Sequence, residues 1–504
     1  MKANLTYEKV KINKLIFNKN LEHSIDFSYQ LPDYYTGIFK VLQFDLEPHI
    51  SSCRTLNNQF IIDGNAKVKL LYIDEEEGDI KSIHQNIPFS KTMELDENIS
   101  NAILFYNVKT TYKNCKIISP KKIDIKANLS ISVKVQIEKE ENVLKSAAEK
   151  DLQLKLSPIK ITSDQIWTTQ QFDINEQIEL NEICKEILDV RIKIADDEFK
   201  VIQNKIIAKA VAHIEILYCG ETKNTPILEK SSVSINNIID IPKINENFLY
   251  NVKYDVNSIA FEISQEGKIV NVKADVLIDS FASLSKEINI VTDAFSTKYE
   301  IDFKEKEFNS TSFISTINEN INFEETLESF NISKLFDIDS TITEINHMQG
   351  KNKIDFKAKL NLNILATNKD NSIESIFKSI PIEFKIKNKN VIYDYTKINI
   401  NNLTILKVDS DLKDNNSIKL KIKFNIKGFV VTNGNLKTLK NINIDETKIK
   451  KSSKAALTLY YPKIGEKIWN IAKNFKTSPS AIIEANNIED ENIKNESMLI
   501  IPIV

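Results

Sequence analysis

The sequence predicts a mainly β protein: three tandem antiparallel β domains, sandwich- or barrel-like, followed by a small βααβ domain. Three observations carry this expectation. Segments recur every 146 to 148 residues. The recurring segments alternate apolar and polar residues with a period of two, which is strand periodicity. Near the C-terminus the apolar spacing becomes helical.

The repeat shows in three registers. Phe60 to Tyr72 (FIIDGNAKVKLLY) is followed by Ile206 to Tyr218 (IIAKAVAHIEILY) and Ile354 to Ala366 (IDFKAKLNLNILA). Val41-Leu42-Gln43-Phe44 matches Ile187-Leu188-Asp189-Val190 and Leu335-Phe336-Asp337-Ile338. Ile125, Ala127, Leu129 and Ile131 match Val272, Ala274, Val276 and Ile278, then Leu420, Ile422, Phe424 and Ile426. Three elements holding one spacing through three copies define tandem units. One-sided strands of this kind close as sandwiches or barrels, with one face in a core.

In chain order the expected layout is an N-terminal segment at 1–33 and β domains at 34–165, 166–300 and 301–436. A basic linker at 437–456 and a terminal domain at 457–504 follow. A short helix is expected near Ile178 to Leu188, where the apolar spacing is partly helical. From Lys437 to Lys454 six lysines face only Asp445 and Glu446. That segment reads as solvated chain, since no aromatic is interleaved as a single-stranded nucleic acid would require. The lysine-rich polar faces of the strands read as protection of the sheet edges.

Composition excludes several functions. Nine glycines in 504 residues leave no G-x-x-x-x-G-K-[ST] and no G-x-G-x-x-G. Without them backbone N–H groups cannot cradle a phosphate in either usual way, so no nucleotide cofactor is expected. Lys+Arg 67 against Asp+Glu 70 gives a net charge of −3, against general nucleic-acid binding. No apolar run is long enough for a membrane span, and Met1 to Asn20 lacks the apolar core of a signal peptide. Cys53, Cys115, Cys184 and Cys219 form no C-x-x-C, and four dispersed thiols fit a reducing cytoplasm.

Catalysis and a metal are not expected. The five histidines (23, 49, 84, 213 and 347) form no H-E-x-x-H. His213 reads as solvated on a strand face. Cys219-Gly220 reads as a strand-to-turn position and not as a nucleophile. Trp167 falls between the first two copies and is expected to pack their junction.

The terminal domain reads clearly. Leu457 to Tyr461 is strand-like. In Glu466 to Phe475, Ile468, Ile471, Ala472 and Phe475 follow i, i+3, i+4, i+7. Ser478-Pro479 is an N-cap and first-turn pair, and Asn486-Asn487 suits a left-handed cap. Met498 to Ile503 is a closing strand. Tyr460, Gly465, Ile468-Trp469, Ile471-Ala472, Phe475, Ser478, Ile482, Asn486, Leu499 and Ile501-Pro502 together resemble a LysM domain. Two positions depart from that pattern: the usual G-D-T is Gly465-Glu466-Lys467, and the usual glycine before the last strand is Glu496-Ser497. Both flank the groove in which the resemblance implies N-acetylglucosamine binding, so glycan binding is not the first expectation.

Three β repeats with one LysM domain resemble the SipL-type spore coat morphogenetic proteins, whose repeats are called SPOCS domains; Leu70-Leu71-Tyr72 with Ile87-Pro88-Phe89 looks like that domain. The resemblance implies a non-enzymatic adaptor in the mother-cell cytoplasm at the forespore surface. Its LysM domain would bind the coat ATPase SpoIVA, with other coat proteins as further partners. Residues singled out for partner binding are Trp469, Ile464, Gly465, Glu466, Ile468 and Ile488, with Lys473 taken as an ordinary surface position. The alternative is a peptidoglycan-binding LysM protein of a cell wall or phage tail.

Overall fold

A computed structural model describes residues 4–502, apart from 57, 96–101, 150, 222–224, 329, 351–352, 388–395, 414–416, 450–456, 489–492 and 494–497. The first unit has six strands: β1 (Leu5–Gln30), β2 (Ile38–Leu56), β3 (Gln59–Asp74), β4 (Ile80–Glu94), β5 (Ala102–Ser119) and β6 (Lys122–Ala147). They form two antiparallel sheets, ordered β2-β3-β4 and β1-β6-β5. The alternation read in the sequence fixes the inner faces. Phe60, Ile62, Ala66, Val68, Leu70 and Tyr72 of β3 meet Ile123, Ile125, Ala127, Leu129 and Ile131 of β6 in one buried core. The unit is therefore a β-sandwich.

The same plan recurs twice. The second unit comprises β7 (Leu152–Glu179), β8 (Cys184–Ile202), β9 (Lys205–Gly220), β10 (Pro226–Asp240), β11 (Leu249–Ile263) and β12 (Ile269–Ser296). The third comprises β13 (Tyr299–Leu327), β14 (Ile332–Gly350), β15 (Lys353–Asn368), β16 (Ile373–Lys387), β17 (Thr396–Leu412) and β18 (Ile418–Ile449). Their sheets are ordered β8-β9-β10 with β7-β12-β11, and β14-β15-β16 with β13-β18-β17.

The strands correct three expectations. Leu5–Gln30 is no separate segment but pairs with β6 along its whole length, from Leu5 opposite Ala147 to Gln30 opposite Lys122. The stretch 437–449 is not linker: Lys437 lies opposite Glu307 and Ile444 opposite Ile301, within the β13–β18 ladder. Its lysines face solvent while Leu439 and Ile442 are buried; these two lie three positions apart because a bulge falls at Lys440, so strict alternation does not mark them. The remainder of that segment, 450–456, lies outside the described residues. No helix forms at 178–188. β7 ends at Glu179 and β8 starts at Cys184, and Gly267, with φ +71, turns the neighbouring chain so that its carbonyl accepts from Cys184 N–H.

The units are locked together by residues the alternation alone does not assign. β2, β8 and β14 each carry a bulge at one equivalent place, between Val41 and Gln43, Ile187 and Asp189, and Leu335 and Asp337. A bulge re-aims the extra side chain. The bulged residues Leu42, Leu188 and Phe336 pack with Leu71, Leu217 and Leu365 in one cluster shared by all three sandwiches. Equivalent residues meeting at one point give the body an approximate threefold arrangement.

Beside this apolar centre lies a buried charge cluster. Lys69 Nζ is 2.8 Å from Asp189 and 3.0 Å from Asp339. Arg191 grips Asp337 with two hydrogen bonds of 2.7 and 3.0 Å. Lysines on the strand faces, expected to protect sheet edges, here dock units: Lys67 donates to Val256 O, and Lys81 and Lys185 pair with Glu186 and Asp79.

The outer halves of the long strands extend past the sandwiches and pack on one another. Leu144, Val291 and Leu439 share one cluster. Trp167 lies at a second, in edge contact with Phe105 of the first unit and tilted against Phe281, which touches Phe313 and Phe429 of the third. Its ring thus sits where all three units meet.

Candidate partner-binding site

The terminal domain folds as β19 (Thr458–Tyr460), α1 (Ile468–Phe475), α2 (Pro479–Asn486) and β20 (Leu499–Ile501). Ile468, Ile471, Ala472, Ile482, Leu499 and Ile501 build its core. Ser478 caps α2 by accepting from Ala481 N–H at 3.1 Å, and Asn487 closes it with φ +50. α1 begins at Lys467, which has the extended backbone of a cap and no side-chain cap bond.

The departure from G-D-T has a local role. The Glu466 carboxylate accepts from the Tyr460 hydroxyl at 3.1 Å and from Lys463 N–H at 3.2 Å. Gly465 sits at φ +82, a conformation that suits glycine. Gly465 N–H donates to Ile493 O at 2.9 Å, and Ile493 N–H to Glu466 O at 3.1 Å. Backbone groups of the two loops that would flank a sugar groove are thereby spent on each other. Glu496-Ser497 lies outside the described residues.

The six singled-out residues separate into distinct environments. Ile464 is 66% exposed at the tip of the first loop, beside exposed Tyr461. Gly465 is exposed, and Glu466 and Ile488 are half-buried. Ile468 is buried in the domain's own core.

Trp469 turns toward the β body. Its indole N–H donates to Asp293 Oδ2 at 2.8 Å, and its ring meets Phe295 edge-on at 5.0 Å between centroids. Lys473, one helical turn on, donates to both Asp293 oxygens at 2.8 Å and reaches over the Phe303 ring. Lys473 is thus no neutral surface position. Burial pushes the Asp293 carboxyl up, but the hydrogen bonds from Lys473 and Trp469 outweigh it and hold it below the usual carboxylate range. Phe295 is buried among Ile468, Ile471 and Leu499. Sequence reasoning missed Asp293 and Phe295, because a contact between strand and helix 176 positions apart leaves no periodic mark.

Burial pushes the Cys53 and Cys219 thiols up to about 12 and those of Cys115 and Cys184 to about 11, far from a reactive thiolate. His213 is hydrogen-bonded to Ser232 Oγ at 2.9 Å, and burial lowers its pKa. A cavity of about 300 Å³ lies along the charge cluster, where Lys69 and Arg191 are already paired with acids. Among the described residues no group of three or more His, Cys, Asp or Glu could hold a metal, and no helix is long and apolar enough to cross a membrane.

The family described as SipL, SPOCS domain matches residues 37–118 and 184–264, and the LysM domain family matches 463–502. No curated protein and no solved structure matches the chain. The SPOCS matches cover β2 to β5 and β8 to β11; β14 to β17 repeat the arrangement in the third unit. Both matched families are non-catalytic binding domains. Repeated SPOCS domains of the SipL family thus stand in one chain with a LysM domain after them, the combination that identifies a SipL-type protein.

Proposed function

We propose that this chain is a non-enzymatic spore coat morphogenetic adaptor, working at the forespore surface in the mother cell and binding a SpoIVA-like coat ATPase through its LysM domain. The observation that carries the reading is the combination of SPOCS repeats with a terminal LysM domain. Among the exposed apolar side chains open to a partner are Ile464 and Tyr461 at the first loop. Glycan binding has less support, because the backbone groups of Gly465, Glu466 and Ile493 satisfy one another. The matched SPOCS and LysM families are non-catalytic binding domains, which supports a binding role.

The test mixes the purified full chain with a SpoIVA-like ATPase and follows co-elution, with chitin oligomers titrated in parallel. Co-elution is expected. Ile464→Asp is expected to weaken it by about tenfold or more, as loss of an apolar anchor at a protein interface does. A fluorescent fusion is expected to form a shell around the forespore. Failure to co-elute together with saturable chitin binding would replace this reading with the glycan one.

A further inference from the structure

The strand that holds Trp469 is not ordinary packing. Each unit carries a bulge at the same place on its longest ladder: at Lys145 beside buried Leu144, at Thr292 beside buried Val291, and at Lys440 beside buried Leu439. The two residues that follow in alternate positions are Ser146 and Ala148 in the first unit and Asn441 and Asn443 in the third. In the second they are Asp293 and Phe295. The fold therefore builds this geometry three times without needing an acid or an aromatic there. The second unit alone presents a carboxylate and a phenyl ring two residues apart on one extended strand, and the terminal domain engages both.

The receiving face is complementary. Trp469 Nε1 and Lys473 Nζ converge on one carboxylate, two donors on one acceptor group, and the Trp469 ring with the apolar surface of α1 covers the phenyl. A charge-assisted contact beside an aromatic pocket reads its ligand by chemistry as much as by shape.

We propose that the Trp469–Lys473 face of the LysM domain is a recognition site for an extended segment carrying a carboxylate two residues before an aromatic ring, and that residues 291–296 of this chain occupy it as an internal ligand. An outside protein segment of the same chemistry would compete for the face and release the domain from the body. The face and its occupant stand whatever the physiological partner is; only competition by a coat protein rests on the function proposed above.

The test uses the full chain in a Trp167→Phe background, which leaves Trp469 as the single tryptophan. Its emission is expected to be blue-shifted and shielded from acrylamide. Asp293→Lys is expected to red-shift it and to lower the docked-to-free ratio about tenfold, the scale of losing a charged hydrogen-bond partner. Adding Lys473→Asp to that variant restores an opposite-charge pair and is expected to recover most of the shielding. A synthetic peptide of residues 288–297, added to an Asp293→Ala/Phe295→Ala chain, is expected to shield Trp469 saturably. The same peptide with Asn for the acid and Ala for the aromatic is expected not to. Unchanged emission in Asp293→Lys would overturn the internal ligand. Shielding by both peptides alike would overturn the stated chemistry. Concentration-dependent shielding in the parent chain would instead assign the contact to a second copy. Circular dichroism of each variant separates these outcomes from misfolding, and none of them touches the co-elution experiment.

Discussion

Single residues decide how the terminal domain is built and what it can still offer. Lys467 occupies the cap position of α1 with extended backbone and leaves the first N–H groups without a side-chain acceptor. Lys467→Thr supplies that acceptor and is expected to stabilise the domain by about 1 kcal/mol, read as a higher melting midpoint of Trp469 fluorescence. Gly465→Ala, at φ +82, is expected to cost about 1 kcal/mol by the same readout. Much at this scale was legible. The caps at Ser478 and Asn487, the helical stripe of Ile468, Ile471 and Ala472, and the placement of Ile464 in a loop all follow from local pattern. The direction in which Trp469 points does not, since a core tryptophan and a docking tryptophan share one helical position.

Among the elements, the informative feature is where alternation fails. In β3, Leu70, Leu71 and Tyr72 are all buried in succession, and Leu217 and Leu365 occupy the same odd position in β9 and β15. A strand that is apolar on both faces for one step must be covered on both sides. Here the second cover is the bulged Leu42, Leu188 or Phe336 of a neighbouring unit. Leu188 is fully buried, so Leu188→Ala is expected to destabilise by about 2–5 kcal/mol, measured by urea unfolding. The sequence carried this signal in the triplicate apolar doublets. The bulges themselves are set by backbone pairing, and no residue type announces them. The long outer halves of the ladders are illegible for another reason: their lysine content resembles a linker, and the bulge at Lys440 breaks the period of two between Leu439 and Ile442.

At the level of the whole molecule, three sandwiches share one buried charge cluster in which each unit supplies a part: Lys69 from the first, Asp189 and Arg191 from the second, Asp337 and Asp339 from the third. Removing one partner leaves a buried charge without compensation. Arg191→Met is therefore expected to cost about 3–5 kcal/mol and to loosen the body as a unit, seen as a lower midpoint in urea unfolding. The cluster also fixes a response to acid. Burial raises the Asp339 carboxyl, but Lys69, Arg191 and Lys193 outweigh it and hold it well below the ordinary range; Lys253 and His49 do the same for Asp255. Carboxyls lowered in the folded state contribute stability that is complete above their unfolded pKa of about 3.9 and is lost as pH falls through it toward the folded value. Stability is expected to be insensitive to these groups at neutral pH and to decline below about pH 5, tracked by urea midpoints across pH. Trp167 marked a junction in the sequence, but the charge cluster was not legible there. Repeats announce copies, but how copies face each other depends on pairs separated by more than a hundred positions.

The ladder joining Leu5 to Ala147 has a consequence for synthesis. The first strand of the unit to be translated is also the one whose mate is translated last. At about 5–20 residues per second it waits on the order of ten seconds with its hydrogen-bonding edge bare. Units two and three repeat the wait, with Leu152 facing Ser296 and Tyr299 facing Ile449. Each sandwich can therefore close only when its own last strand emerges, one after another from the N-terminus. Nascent chains of this architecture expose an unpaired strand edge three times over, once for each unit.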